Sequence, residues 1–151
     1  EDAIERYRQG RTFPADLAAL ITIALGEVRV RDDAWARMDA DYRRAHLRLW
    51  TDLTRQARPG YVAAPAALLG FVAWQMGDGA LANVAVDRAL ADNAGYSMAL
   101  LLREALDSGA PPSLARLPMT PEEVAAAYDA AEAAQYSSGA DVRAGEAGES
   151  E

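Results

Sequence analysis

Pro65-Ala-Ala-Leu-Leu-Gly-Phe-Val-Ala-Trp-Gln-Met-Gly77-Asp-Gly-Ala-Leu-Ala82-Asn-Val-Ala-Val-Asp-Arg-Ala89-Leu90-Ala-Asp-Asn-Ala-Gly95 decides the fold class of this chain. It reads as an apolar helix over about 62–76, a Gly-Asp-Gly turn and a second helix over about 79–92. Two helices that cross at close range need small residues at the crossing. Gly70, Ala82 and Ala89 supply them at separations of twelve and seven. That is the spacing of one helix-turn-helix unit of a tetratricopeptide-like repeat. Ala66, Ala73, Val86 and Ala94 depart from the aromatic and proline positions of that pattern. No second copy follows at the repeat distance, because Glu104 and Arg48 fall where small residues belong. A solenoid needs about three units, so the flanking helices must act as degenerate ones. The alternative is a compact helical bundle that holds one such pair.

Working outward, Pro14 to Gly26 predicts a helix with Leu17, Leu20, Ile21, Ala24 and Leu25 as its inward stripe. A short helix follows from Asp32 to Met38, anchored by Trp35. Another runs from Asp41 to Ala57, with Tyr42, His46, Leu49, Trp50, Leu53 and Ala57 on one face. Arg58-Pro59-Gly60 breaks it. A further helix spans Gly95 to Ser108 and stops at Gly109-Ala-Pro-Pro112. Thr120-Pro121-Glu122-Glu123 is a capping box that starts a last helix ending near Gln135. Val28 and Val30 in Glu27-Val-Arg-Val-Arg31 are the best strand candidate, and a weak one. The expected fold is therefore all-α, either a tetratricopeptide-like superhelix or a bundle of about six to seven helices. One domain is expected over 1–136. An acidic tail over 137–151, poor in large apolar residues, should be disordered.

Composition excludes more than it assigns. The chain has 151 residues, 51% of them hydrophobic, and a net charge of −8. That balance argues against nucleic-acid or anionic-membrane partners, which need a basic surface. With no Cys and a single His, a disulfide, a cysteine nucleophile and a zinc site are excluded or disfavoured. All fifteen basic residues are Arg, so no lysine chemistry is available. The longest stretch without a polar side chain, Val62 to Trp74, is too short to cross a bilayer. No signal peptide is legible, and a cytoplasmic location is expected. The first residue is Glu rather than Met, as in a piece of a longer protein.

His46 sits on the apolar face of its helix with no nucleophile or orienting acid in view, which predicts a structural histidine at the core edge. The acid pairs Asp32/Asp33, Asp39/Asp41 and Glu122/Glu123 each fall at an expected helix start and read as caps. Arg44, Arg48, Arg55 and Arg58 form a stripe that suits a carboxylate-rich peptide or a phosphate. The plainer reading is a solvated face paired with Asp41 and Asp52. Trp74, Gln75, Asn83 and Asp87 are candidates for a groove along the repeat-like pair, although Trp74 equally suits the core.

The chain also resembles an uncharacterised actinobacterial family, domain of unknown function 4192, from Gly10 onward. The resemblance is carried by Val28-Arg-Val-Arg-Asp32, His46-Leu-Arg-Leu-Trp-Thr-Asp-Leu53, Ala64-Pro-Ala-Ala-Leu-Leu69 and Phe71-Val-Ala-Trp-Gln75. It continues through Gly77-Asp-Gly-Ala-Leu-Ala-Asn-Val-Ala85, Asp87-Arg-Ala-Leu90, Gly95-Tyr-Ser-Met98 and Leu117-Pro-Met-Thr-Pro-Glu-Glu123. It implies a larger protein with an upstream region, and no cofactor or catalytic residue. The expectation is a non-catalytic protein-interaction or scaffolding domain with a protein or peptide partner. The alternatives are a helical accessory or lid domain of an enzyme whose active site lies upstream, and self-association as a homodimer.

Overall fold

The computed structural model describes residues 2–114 and 120–146. Among these residues there are eight α-helices and no strand: α1 (Ala3–Arg8), α2 (Ala15–Ala24), α3 (Val28–Ala36), α4 (Arg43–Gln56), α5 (Ala63–Gln75), α6 (Gly79–Asp92), α7 (Ser97–Asp107) and α8 (Pro121–Glu146). The protein is all-helical, and no described helix is long and apolar enough to cross a membrane.

α5 is the axis of the core. Every residue from Ala63 to Trp74 is buried, as a helix that is apolar all round requires. α4, α6 and α7 pack on it, and Trp35 of α3 meets Phe71 edge-on at 5.3 Å between ring centres. Pro65 lies in the first turn, where its missing N–H costs no hydrogen bond.

The turn into α6 follows from Gly77, which adopts a φ of +79° that other residues resist. The Gly77 N–H donates to the Trp74 carbonyl at 2.9 Å and the Asp78 N–H to that of Ala73 at 2.9 Å, closing a Schellman motif. The Asp78 carboxylate then caps α6 by accepting from the Leu81 N–H at 2.9 Å. At the crossing, a Cβ added to Gly70 would stand 3.2 Å from Val86 Cγ2 and 3.5 Å from the Ala82 carbonyl oxygen. The far end is tied as well. Asp92, at the end of α6, accepts from the N–H groups of Gly60 (2.6 Å), Val62 (2.9 Å) and Ala63 (3.0 Å) at the start of α5. The two helices are therefore antiparallel and clamped at both ends.

Elsewhere the structure departs from expectation. α1 adds a short helix, held by Tyr7. Its hydroxyl donates to Asp52, accepts from the Phe13 N–H at 3.3 Å, and its ring meets Phe13 edge-on. The expected inward stripe of α2 holds in part: Leu25 is buried and Ile21 half-buried, beside Ala18 and Thr22, whereas Leu17, Leu20 and Ala24 are exposed. Both sides of α2 are apolar, so the sequence pattern does not decide which one faces α4.

The strand candidate Val28–Val30 is the first turn of α3, which therefore starts ahead of Asp32. Asp32 and Asp33 are not caps. Asp32 binds the buried Arg31 at 2.5 Å and accepts from the Tyr128 hydroxyl at 2.6 Å, and Asp33 pairs with Arg37 at 2.6 Å. Tyr128 belongs to α8, which lies along α3 with Arg29 bonded to Asp129 at 2.7 Å. The Thr120–Glu123 capping box forms in both directions, at 2.7 and 3.2 Å. α8 does not end near Gln135 but continues to Glu146, through part of the tail expected to be disordered. Alanine is the strongest helix former and no proline follows Pro121 to stop the helix. Residues 147–151 lie outside the described residues.

Candidate functional site

The amphipathic pattern of α4 places Arg44, Arg48 and Arg55 on its exposed side, with Arg58 in the break that follows. Among the described residues, none of the four forms the expected pair with Asp41 or Asp52. Asp52 instead receives the Tyr7 hydroxyl, whose pKa is raised by burial and by that bond. Arg48 and Arg55 line a shallow cleft of about 380 Å³ beside Tyr7, Arg11 and Asp52, and Arg44 and Arg58 are not part of it.

The second predicted set separates. Trp74 is a core residue, not a groove residue: it is buried, and its indole N–H donates to the Ala110 carbonyl at 3.1 Å. Gln75 is half-buried beside it. Asn83 and Asp87 do come together, through Arg103 of α7, which sequence reasoning did not single out. Arg103 donates to Asn83 Oδ1 at 2.7 Å and ion-pairs with Asp87, while the Asn83 amide donates to the Gly79 carbonyl at 2.8 Å. Asn83 and Asp87 stand four positions apart on one side of α6, so that both reach Arg103 across the α6–α7 seam.

A larger feature lies in the first half of the chain. α1 to α4 border an open-sided cleft of about 720 Å³ with an apolar wall that includes Ile4, Phe13, Ile21, Leu25 and Leu49. His46 and Trp50, one turn apart on α4, line it as well. His46 is buried as expected, and its Nε2 accepts from the Asp39 N–H at 3.3 Å. The neutral ring therefore carries its proton on Nδ1. Burial lowers the His46 pKa, against the opposing charges of Asp39 and Asp2, and so favours that neutral form. Neither His46 Nδ1 nor the Trp50 indole nitrogen has a hydrogen-bond partner among the described residues.

The charged groups around this cleft are committed to each other or to backbone. Arg8 pairs with Glu5 and Arg37 with Asp33, both at 2.6 Å. Asp2 accepts from the Ile4 N–H and Asp39 from the Asp41 N–H, each at 2.9 Å. Sequence reasoning found His46 and Trp50 as a helix face but not the cleft, which exists only once four helices are assembled. The arrangement is an open-sided, mainly apolar cleft with no nucleophile beside His46 among its lining residues.

The family model described as domain of unknown function (DUF4192) matches residues 1–113, and the chain belongs to that family. The match starts ahead of Gly10 and ends before the capping-box stretch that opens α8. No curated protein and no solved structure matches the chain.

Proposed function

We propose that this member of the family is a non-catalytic helical module that docks another protein, with the α5–α6 pair as its tetratricopeptide-like element. The observation that carries this reading is α2. Its only charged residue is Asp16, yet only one side of the helix is covered. Leu17 is 40% exposed, Leu20 65% and Ile23 52%, three residues at steps of three along one side of the helix. A row of apolar side chains along one helix side is what a partner covers, whereas single exposed apolar residues are ordinary. The arginines of α4 offer a second, charged surface for an acidic segment of the partner.

The test is affinity capture with the full chain from a lysate of its source organism, wild type beside Leu20→Glu/Ile23→Glu. Both side chains are exposed, so the double variant should keep its helicity and melting temperature. A protein recovered by the wild type and lost from the variant supports docking on α2. Identical sets recovered by both overturn it. A wild-type dimer in light scattering that becomes a monomer in the variant identifies the partner as a second copy.

A further inference from the structure

We propose that the shallow cleft between the α1–α2 turn and α4 is a binding site for a phosphate group, taken up as the dianion of a phosphomonoester. Arg48 and Arg55 line it from one side of α4, seven positions and about 10 Å apart along the helix, with Thr51 between them. Gly10, Arg11 and Thr12 form the other wall. That turn is fixed by its own bonds. Gly10 adopts a φ of +76°, the Arg11 N–H donates to the Arg6 carbonyl at 3.1 Å, and Arg6 Nε donates to the Thr12 carbonyl at 2.9 Å. The cleft of about 380 Å³ is thus lined by three exposed arginines and two threonines.

Charge selects the ligand. Helical spacing would pair Asp52 with Arg48, four positions before it, or with Arg55, three after it. Instead Asp52 accepts from the buried Tyr7 hydroxyl, which in turn accepts from the Phe13 N–H at 3.3 Å. Arg48 and Arg55 are left without a hydrogen-bond or ion-pair partner among the described residues, and Arg11 keeps its charge while donating to Gln9 Oε1 at 2.7 Å. Three arginines against the single carboxylate of Asp52 give the cleft a net charge of +2, in a chain of net charge −8. A phosphomonoester carries about −1.5 to −2 at pH 7 and offers three acceptor oxygens that suit the paired N–H donors of arginine. A carboxylate brings one charge and two oxygens, and a cation is repelled. This rests on the charged surface proposed for α4 and narrows it to Arg48 and Arg55; Arg44 and the apolar row of α2 play no part.

The probe is phenyl phosphate, titrated into the full chain and followed by phosphorus NMR. Saturable binding at one molecule per chain is expected. Arg48→Gln/Arg55→Gln should weaken it at least about tenfold. Arg44→Gln/Arg58→Gln removes the same charge outside the cleft and should bind within about twofold of the wild type at physiological salt. All four arginines are exposed, so both variants should keep the wild-type melting temperature. Leu20→Glu/Ile23→Glu should bind phenyl phosphate like the wild type, so this site and docking on α2 can fail separately. A phosphoserine peptide that binds more tightly than phenyl phosphate supports the site and puts the phosphate on a partner protein. Equal or lower affinity of that peptide supports a free ester as the ligand. No saturable binding of either probe, or equal weakening in the two arginine pairs, overturns the proposal. Equal affinity for benzoate overturns the choice of phosphate.

Discussion

The α5–α6 pair and the α1–α4 assembly solve the same packing problem in opposite ways. In the pair, Gly70, Ala82, Ala85, Val86 and Ala89 let two backbones approach until a single added Cβ on Gly70 would crowd Val86. In the assembly, large rings and ion pairs meet around an open-sided cleft. All four buried polar or charged side chains among the described residues, Thr22, Arg31, His46 and Thr54, precede α5. So do all four buried side-chain nitrogens without a partner, on Trp35, Arg43, His46 and Trp50. One half of the molecule is close-packed and apolar, and the other holds the buried polar side chains and the unpaired nitrogens.

The same enlargement should therefore have opposite effects in the two halves. Gly70→Leu forces a side chain where a single Cβ already stands 3.2 Å from Val86. The gain in helix propensity, about 0.8 kcal/mol, is overwhelmed, and we expect a loss of about 3 kcal/mol in urea denaturation. A loss below about 1 kcal/mol would show that the crossing is not the tight point of the fold. The next largest effect is at the other end of the pair. Asp92→Ala leaves three N–H groups without their acceptor, two of them on the buried residues Val62 and Ala63. We expect about 2 kcal/mol of destabilisation, with Asp92→Asn costing less because one acceptor oxygen remains.

Ala34→Leu is the counterpart in the α1–α4 half. There the added carbons enter the cleft instead of a neighbouring backbone, and stability should rise by about 1 kcal/mol, read as an increase in melting temperature. A loss as large as that of Gly70→Leu would mean that the two halves are packed alike.

How legible each half was in the sequence follows from the same contrast. The α5–α6 pair could be read because its signals are local: an all-apolar run, small residues at fixed steps, and a Gly77-Asp78 turn whose φ and cap are properties of those residues. Asp92 was not legible, since the amides it binds lie about thirty positions away in sequence. The Val28–Val30 alternation points to a strand by period. The helix wins because Arg31 is buried beside Asp32 with Tyr96 stacked near its guanidinium, and α8 covers α3. The pattern of α2 gives the helix and the inward Ile21 and Leu25, but not that Leu17 and Leu20 face outward, as two apolar faces leave that choice to neighbouring elements. His46 was legible as a buried histidine. Its unpaired Nδ1 was not, because the acceptor it would need is missing from helices distant in sequence, and only the assembled fold shows that.

The smallest effect separates the halves by pH. His46 is the titratable group of the cleft whose pKa is lowered by burial, while Asp39 and Asp2 pull it upward and Glu5, Arg8, Asp33 and Arg37 stand around the same space. In the unfolded chain a histidine takes up its proton near pH 6.5, whereas the folded ring stays neutral to lower pH. Between those two points the unfolded state binds more protons, so stability is fully present above pH 6.5 and falls as the solution is acidified through that window. Denaturation midpoints measured from pH 7.5 to 5.5 should decline for the wild type and flatten for His46→Gln. The decline should survive Asp92→Ala, because no buried side chain of α5 or α6 is titratable and the N-terminal half alone supplies the proton. A wild-type midpoint independent of pH would show that the imidazole is not held neutral. Burial would then leave the proton affinity of the ring as it is in the unfolded chain.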